Sequence, residues 1–268
     1  MSNGNARMAP QADGSVWRLR KRLRNALFKF SNRVFGPDLT HRFRLARLCL
    51  DAYGKLQTAA GSAQRRQARF ERDNPDLPWF VPDSIIYLEA LLNPRFAGFE
   101  WGSGRSSVWF SRRVAHIICV EGRRDWYDQV KTRIHDLNLE DRIDLRLRAV
   151  TSEHNFDGEQ VSQYSREIDT VPDMSLDFLV VDGHFRIECL LRGLSKVRPG
   201  GVLVLDNSDL PEFEPFHAVL TDAASRTFSN GIWETTIFIA PGPHAFAPAL
   251  ADLQSTPGLE AFRQFMLP

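Results

Sequence analysis

Two different periods of apolar residues divide this chain. Between residues 16 and 35, Val16, Leu19, Leu23, Leu27, Phe30 and Val34 recur at steps of three and four. That spacing places them on one stripe of a helix, with arginines and lysines around it. A second helical pattern runs from about Leu39 to Ala59, and residues 61–78 lead to a proline-containing junction. From Pro82 the pattern changes. PDSIIYLEALLN reads as a helix opening at Asp83 or Ser84. Short apolar runs then alternate with helical ones. Strands are expected at FAGFEW (96–101), HIICVE (116–121), IDLRLRAV (143–150), LDFLVVDG (176–183) and GGVLVLDN (200–207). SSVWFSRRV, DWYDQVKTRIHDLN, RIECLLRGLSKV and PEFEPFHAVLTDAA are the expected helices, and SRTFSNG with WETTIFIA forms a closing hairpin.

Nearly continuous apolar strands alternating with helices predict an α/β fold: a buried, mostly parallel sheet covered on both faces. The 25 residues from Thr151 to Ser175 exceed an ordinary crossover loop and are expected to be a functional insertion. The expected organisation is a polar, disordered tail at 1–15, a basic helical extension at 16–78, an α/β domain at 79–242 and a tail with a short helix at 243–268.

Charge sharpens that division. Residues 1–70 hold 15 Lys/Arg against 3 Asp/Glu, while the remainder holds 19 against 30, within an overall net charge of +1. A basic arm joined to an acidic body is implied. The arm at 16–35 suits an anionic membrane surface, with Trp17, Leu23, Leu27 and Phe30 inserted, or simple packing on the body. Nucleic acid is disfavoured, because the arm lacks the interleaved aromatics of base-stacking modules. Cys49, Cys119 and Cys189 are widely spaced and form no CxxC pair, which points to a reducing compartment. No apolar run reaches the roughly 18 to 20 residues that span a bilayer. The expected location is cytoplasmic, peripheral at the inner face of the membrane.

The candidate chemistry lies in FEWGSGRSS, Phe99 to Ser107, which follows a strand and opens a helix. Ligands of open α/β sheets bind at the carboxyl ends of strands. Gly102 and Gly104 let the backbone approach a ligand, and the following helix N-terminus favours a negative group. Glu121, 19 residues after Gly102, ends the next strand, where a carboxylate can accept from both hydroxyls of a ribose. Nicotinamide and S-adenosylmethionine cofactors both fit so far. Glu100 discriminates: it would repel a pyrophosphate and attract an ammonium and sulfonium.

The segment from about Trp79 to Ala240 resembles class I S-adenosylmethionine-dependent methyltransferases, and looks closest to a bacterial group of undefined substrate. Glu100, Gly102, Gly104 and Ser106 fall on the family's first motif, with Ser106 replacing its third glycine. Glu121 falls on the ribose-binding acid, and VRPGGVLVLDN on the segment leading into the fifth strand. The resemblance implies a Rossmann-like three-layer sandwich whose seven-stranded sheet ends in an antiparallel strand. It implies S-adenosylmethionine held by Glu100, Gly102, Ser103, Gly104, Ser106, Glu121 and Asp182, and methyl transfer to an O or N acceptor of a small molecule, glycan or lipid. Asp182 and His184 are the candidate catalytic groups, since a hydroxyl needs a base near pH 7. Arg186 can hold an anionic group on the acceptor or lie on a helix surface. Tyr164, Arg166 and the helix around Trp79–Ile85 are candidates for the acceptor pocket.

Asp206 and Asn207 resemble the Asp-Asn pair of metal-dependent catechol-type O-methyltransferases, which add an Asp matching Asp182. Phe185 stands where those enzymes carry a lysine. Magnesium on Asp182, Asp206 and Asn207 is therefore an open alternative and not the expectation. Two readings compete with methyl transfer: a nicotinamide-dependent oxidoreductase, which lacks a Tyr-x-x-x-Lys pair here, and a non-catalytic membrane-surface scaffold with the same fold.

Overall fold

A computed structural model of the chain describes residues 61–150, 163–220 and 223–241. The expected helices at 16–35 and 39–59, the tails, and residues 151–162 of the insertion lie outside the described residues. The chain divides into two compact units: residues 1–73 with 229–233, and residues 74–228 with 234–268. In the first, helix α1 (61–73) and the loop at 229–233 are described. Asn230 Nδ2 there donates to the carboxamide oxygen of the buried Gln67.

The second unit holds the sheet. Its elements run α2 (Pro82–Leu91), β1 (Ala97–Trp101), α3 (Arg105–Ser111), β2 (His116–Glu121), α4 (Arg124–Asp136) and β3 (Ile143–Leu147). A 3-10 turn (Arg166–Thr170) precedes β4 (Leu176–Val181) and α5 (Arg186–Gly193). After these come β5 (Val197–Asp206), α6 (Glu214–Val219), β6 (Ala224–Ser229) and β7 (Glu234–Ile239). Every strand read from the sequence is present, displaced by a few residues at its ends. The strand order is β3-β2-β1-β4-β5-β7-β6. Strands β1 to β5 pair in parallel, and β7 runs antiparallel to β5. This is the expected Rossmann-like sandwich with a mostly parallel seven-stranded sheet.

Strand alternation sorts the two covering layers. Phe99, Trp101, Leu179, Val181, Leu203 and Leu205 share one buried cluster with Ile187, Leu190 and Leu191 of α5 and Phe216 of α6. The alternate positions face the other way. There Phe178 stacks on Phe110 of α3, and Phe110 in turn packs on Phe80 just before α2. Glu100 has the same parity as Phe178, so it points under α3 rather than into the apolar cluster. Tyr164 is fully buried in the α5 layer, where its carbonyl accepts from Trp101 Nε1. It is a core residue and not the free acceptor contact considered from sequence.

Candidate active site

The strand order reverses between β1 and β4, the one place in a parallel sheet where connections leave to opposite faces. Ligands of such sheets bind at this point, in the crevice outside the carboxyl ends of the strands. The loop after β1 (102–104), the end of β2 (Glu121), the loop after β4 (182–185) and the end of β5 (Asp206, Asn207) all reach this edge. The fold thus brings Gly102, Ser103, Gly104, Glu121, Asp182, His184, Asp206 and Asn207 to one edge, while Arg166 lies in the turn before β4.

Two of the glycines serve the protein itself. Gly102 has φ +91°, and a Cβ on it would lie 2.8 Å from the Asp182 carbonyl oxygen. Gly183 is crowded from the opposite side, since its Cβ would lie 2.8 Å from Gly102 N. The loops after β1 and β4 therefore touch backbone to backbone, joined further by the Asp182 amide donating to the Trp101 carbonyl. Gly104 differs. Its backbone is extended, and a Cβ would meet only the edge of Trp126, at 3.6 Å. Nothing among the described residues requires glycine at 104, which is what a cradle left open for a ligand would show.

Glu100 departs from its expected charge. Sheet register sets it opposite Cys119. Oε2 accepts from Ser107 Oγ at 2.6 Å and from Cys119 Sγ at 3.3 Å. Ser107 Oγ in turn accepts from the Gly104 amide. Glu100 thus braces the glycine loop through Ser107. Complete burial raises its pKa from 4.5 to about 8, against lowering hydrogen bonds from Ser106, Ser107 and Cys119. The carboxyl is mostly protonated at neutral pH. Its Oε1 is buried without a hydrogen-bond partner, an arrangement a cationic ligand nearby would relieve.

Glu121 is 5% exposed, and each carboxylate oxygen accepts twice. Oε1 takes the amides of Gly122 and Arg123, and Oε2 takes the amide and hydroxyl of Ser103. Three of these donors are fixed backbone groups. The fourth, Ser103 Oγ at 2.8 Å, rotates freely and can yield its place to a ribose hydroxyl. Trp126 Nε1 donates to the Ser103 carbonyl at 2.7 Å, and its ring stacks on Trp79 with centroids 6.0 Å apart. Trp126 thus holds the outer side of the same loop.

Beyond β4 the helix α5 begins at Arg186, with Phe185 at its cap in a left-handed conformation, φ 49°. A bulky aromatic there is strained, and its ring packs on the buried Tyr164. Asp182 is therefore not the cap of α5. Its side chain is about a quarter exposed at the crevice, and Oδ1 accepts from Arg186 Nη2 at 2.8 Å. Asp206 Oδ1 accepts from Thr235 Oγ1 at 2.6 Å. Burial pushes both carboxyls up, Asp206 well above the ordinary range. The His184 ring lies over Gly122, where a Cβ would meet it at 2.5 Å, and against Tyr164 edge-on.

The sequence reading missed Ser107, Cys119, Trp126 and Thr235. Ser107 carried a signal, since a serine three residues into a helix can accept from the capping amide. The others become visible only through sheet register and packing.

No family model matches the chain, and no curated protein matches it. Several solved structures are similar. An O-methyltransferase from Streptomyces achromogenes involved in tomaymycin synthesis, in complex with SAM, is 19% identical. The match covers 88% of this chain and 100% of that one, with a TM-score of 0.46. A methyltransferase-like protein from Silicibacter pomeroyi is 18% identical, over 70% of this chain and 95% of its own, with a TM-score of 0.48. An O-methyltransferase from Bacillus cereus in complex with SAH is 14% identical, over 66% and 89%, with a TM-score of 0.45. Likenesses this distant decide nothing about the chemistry of this chain, which is argued from its own side chains.

Proposed function

We propose that the chain is an S-adenosylmethionine-dependent methyltransferase acting on an O or N acceptor of a small molecule, glycan or lipid. The observation that carries this reading is the loop at 102–104. It is braced from below by the buried Glu100, open at Gly104, and flanked by Glu121 at the end of β2. Glu100, fully buried, fixes the loop through Ser107, and Glu121 offers a ribose the place now held by the Ser103 hydroxyl. The residues present therefore fit the cofactor.

Bound S-adenosylmethionine supplies an electrophilic methyl group. The chain's own work is to hold that group, align the acceptor and receive its proton. Alignment alone can lower a barrier by roughly 7 to 11 kcal/mol in favourable cases. Asp182 is the candidate proton acceptor. Its Oδ1 is held by Arg186 Nη2 at 2.8 Å, and its side chain is about a quarter exposed. His184, on the same loop, is the second candidate. His184→Ala is expected to lower turnover and leave cofactor affinity unchanged.

Calorimetric titration with S-adenosylmethionine tests the reading. Wild type should bind, and Glu121→Ala should bind more weakly. Equal affinity of the two would overturn the cofactor assignment. For the basic arm the proposed partner is an anionic membrane surface contacted by residues 16–35 at the cytoplasmic face. Flotation with vesicles containing phosphatidylserine should carry the full chain upward, and a chain lacking those residues should remain below.

A further inference from the structure

A guanidinium has five N–H donors, and Arg186 spends all of them at the crevice. Nε donates to the Gly183 carbonyl at 3.0 Å. Nη1 donates to the Asp206 carbonyl at 2.6 Å and to Asn207 Oδ1 at 2.8 Å. Nη2 donates to the Asp182 carbonyl at 3.1 Å and to Asp182 Oδ1 at 2.8 Å. The anion-binding role considered for Arg186 from sequence is therefore closed: no donor remains for an acceptor.

Two of the oxygens it engages, Asp182 Oδ1 and Asn207 Oδ1, belong to the three-residue set that would ligate a divalent cation. The third residue, Asp206, turns Oδ1 toward Thr235, whose Oγ1 donates to it at 2.6 Å. Asn207 holds φ 51°, a left-handed conformation that asparagine tolerates. Its carboxamide oxygen converges with Asp182 Oδ1 on a single guanidinium. Oxygens converging from two strand ends are what a hard cation needs, and here they meet a cation carried by the chain.

We propose that Arg186 is the resident cation of this crevice: its guanidinium stands where a divalent metal would sit, and it positions Asp182 without one. Metal ligation would require Arg186 to give up Asp182 Oδ1 and Asn207 Oδ1 together, leaving it only the carbonyls of Gly183, Asp182 and Asp206 beside a second cation, which is costly. Arg186 is thus a positioning residue that makes the reaction independent of divalent ions. This inference builds on the methyl-transfer reading for its consequence, but its test does not need that reading to hold.

The test titrates manganese(II) into the full chain, calorimetrically and by electron paramagnetic resonance, with melting temperature recorded in parallel. Wild type should show no binding up to millimolar metal and no change in melting temperature on adding a chelator. Arg186→Ala should melt about 5 °C or more below wild type, and manganese should restore part of that loss by entering the vacated oxygens. Arg186→Lys, which keeps charge but has three donors instead of five, should melt between the two and bind no metal. Micromolar manganese binding by wild type would overturn the proposal, and it requires no variant to fold. So would an Arg186→Ala chain that melts lower yet is indifferent to manganese.

Discussion

Two glycines two residues apart, Gly102 and Gly104, are expected to fail in opposite ways when replaced by alanine. At Gly102 the added Cβ meets the Asp182 carbonyl oxygen at 2.8 Å, its carbon at 2.9 Å and Gly183 N at 2.9 Å. These are backbone atoms of a loop itself pinned by Arg186, so they cannot swing aside. A left-handed backbone costs an alanine about 1 to 2 kcal/mol, and forcing a methyl into a filled space adds about 1 to 3 kcal/mol. Gly102→Ala should therefore lose about 2 to 5 kcal/mol, a fall of about 5 to 20 °C in melting temperature for a domain of this size. At Gly104 the backbone is extended and the nearest atom is 3.6 Å away, an ordinary contact. Gly104→Ala should change stability by less than about 1 kcal/mol. If the loop cradles a cofactor, however, a methyl there intrudes on the ligand, which costs about tenfold or more in affinity. Thermal unfolding followed by circular dichroism, with S-adenosylmethionine calorimetry on the same samples, separates the two effects. The reasoning fails if Gly104→Ala unfolds as early as Gly102→Ala, or if it is stable and binds like wild type.

Three further outcomes are expected. Glu100 keeps its proton to about pH 8 in the folded chain, against a value near 4.5 when unfolded. Its contribution is fully present below pH 4.5 and is lost as pH rises toward 8, a span of roughly 3 to 5 kcal/mol. Glu100→Gln should therefore melt progressively above wild type as pH rises from 5 to about 8.5, and parallel curves would refute the buried, protonated carboxyl. A cationic ligand beside Glu100 should expel that proton, so the binding heat of S-adenosylmethionine at pH 7 should vary with the ionisation enthalpy of the buffer; a buffer-independent heat would place the ammonium elsewhere. Trp126→Phe removes the 2.7 Å bond to the Ser103 carbonyl at about 1 kcal/mol and loosens the glycine loop. It should weaken cofactor binding severalfold, and unchanged affinity would show that the loop stands without it.

The periodicity of the chain determined the α/β class, the strands and the position of the glycine loop, because burial on both faces leaves a nearly continuous apolar run whatever the partners are. It also located Glu100, Glu121, Asp182 and Asp206, since acids at the ends of apolar strands are conspicuous against their surroundings. What those groups do was decided only in three dimensions. Glu100 looks in sequence like a charge offered to a ligand, yet strand parity turns it under α3, where burial keeps it protonated and Ser107 ties it to the loop. Tyr164 looks like a pocket residue and lies in the core. Arg186 looks like a helix-surface arginine, and it joins residues 20 and 21 positions away because β4 and β5 are neighbours whose ends lie side by side. A carboxylate's charge and an arginine's partners depend on solvent exclusion and on what else converges at one point. Both are set by the pairing of distant strands, which no local pattern encodes.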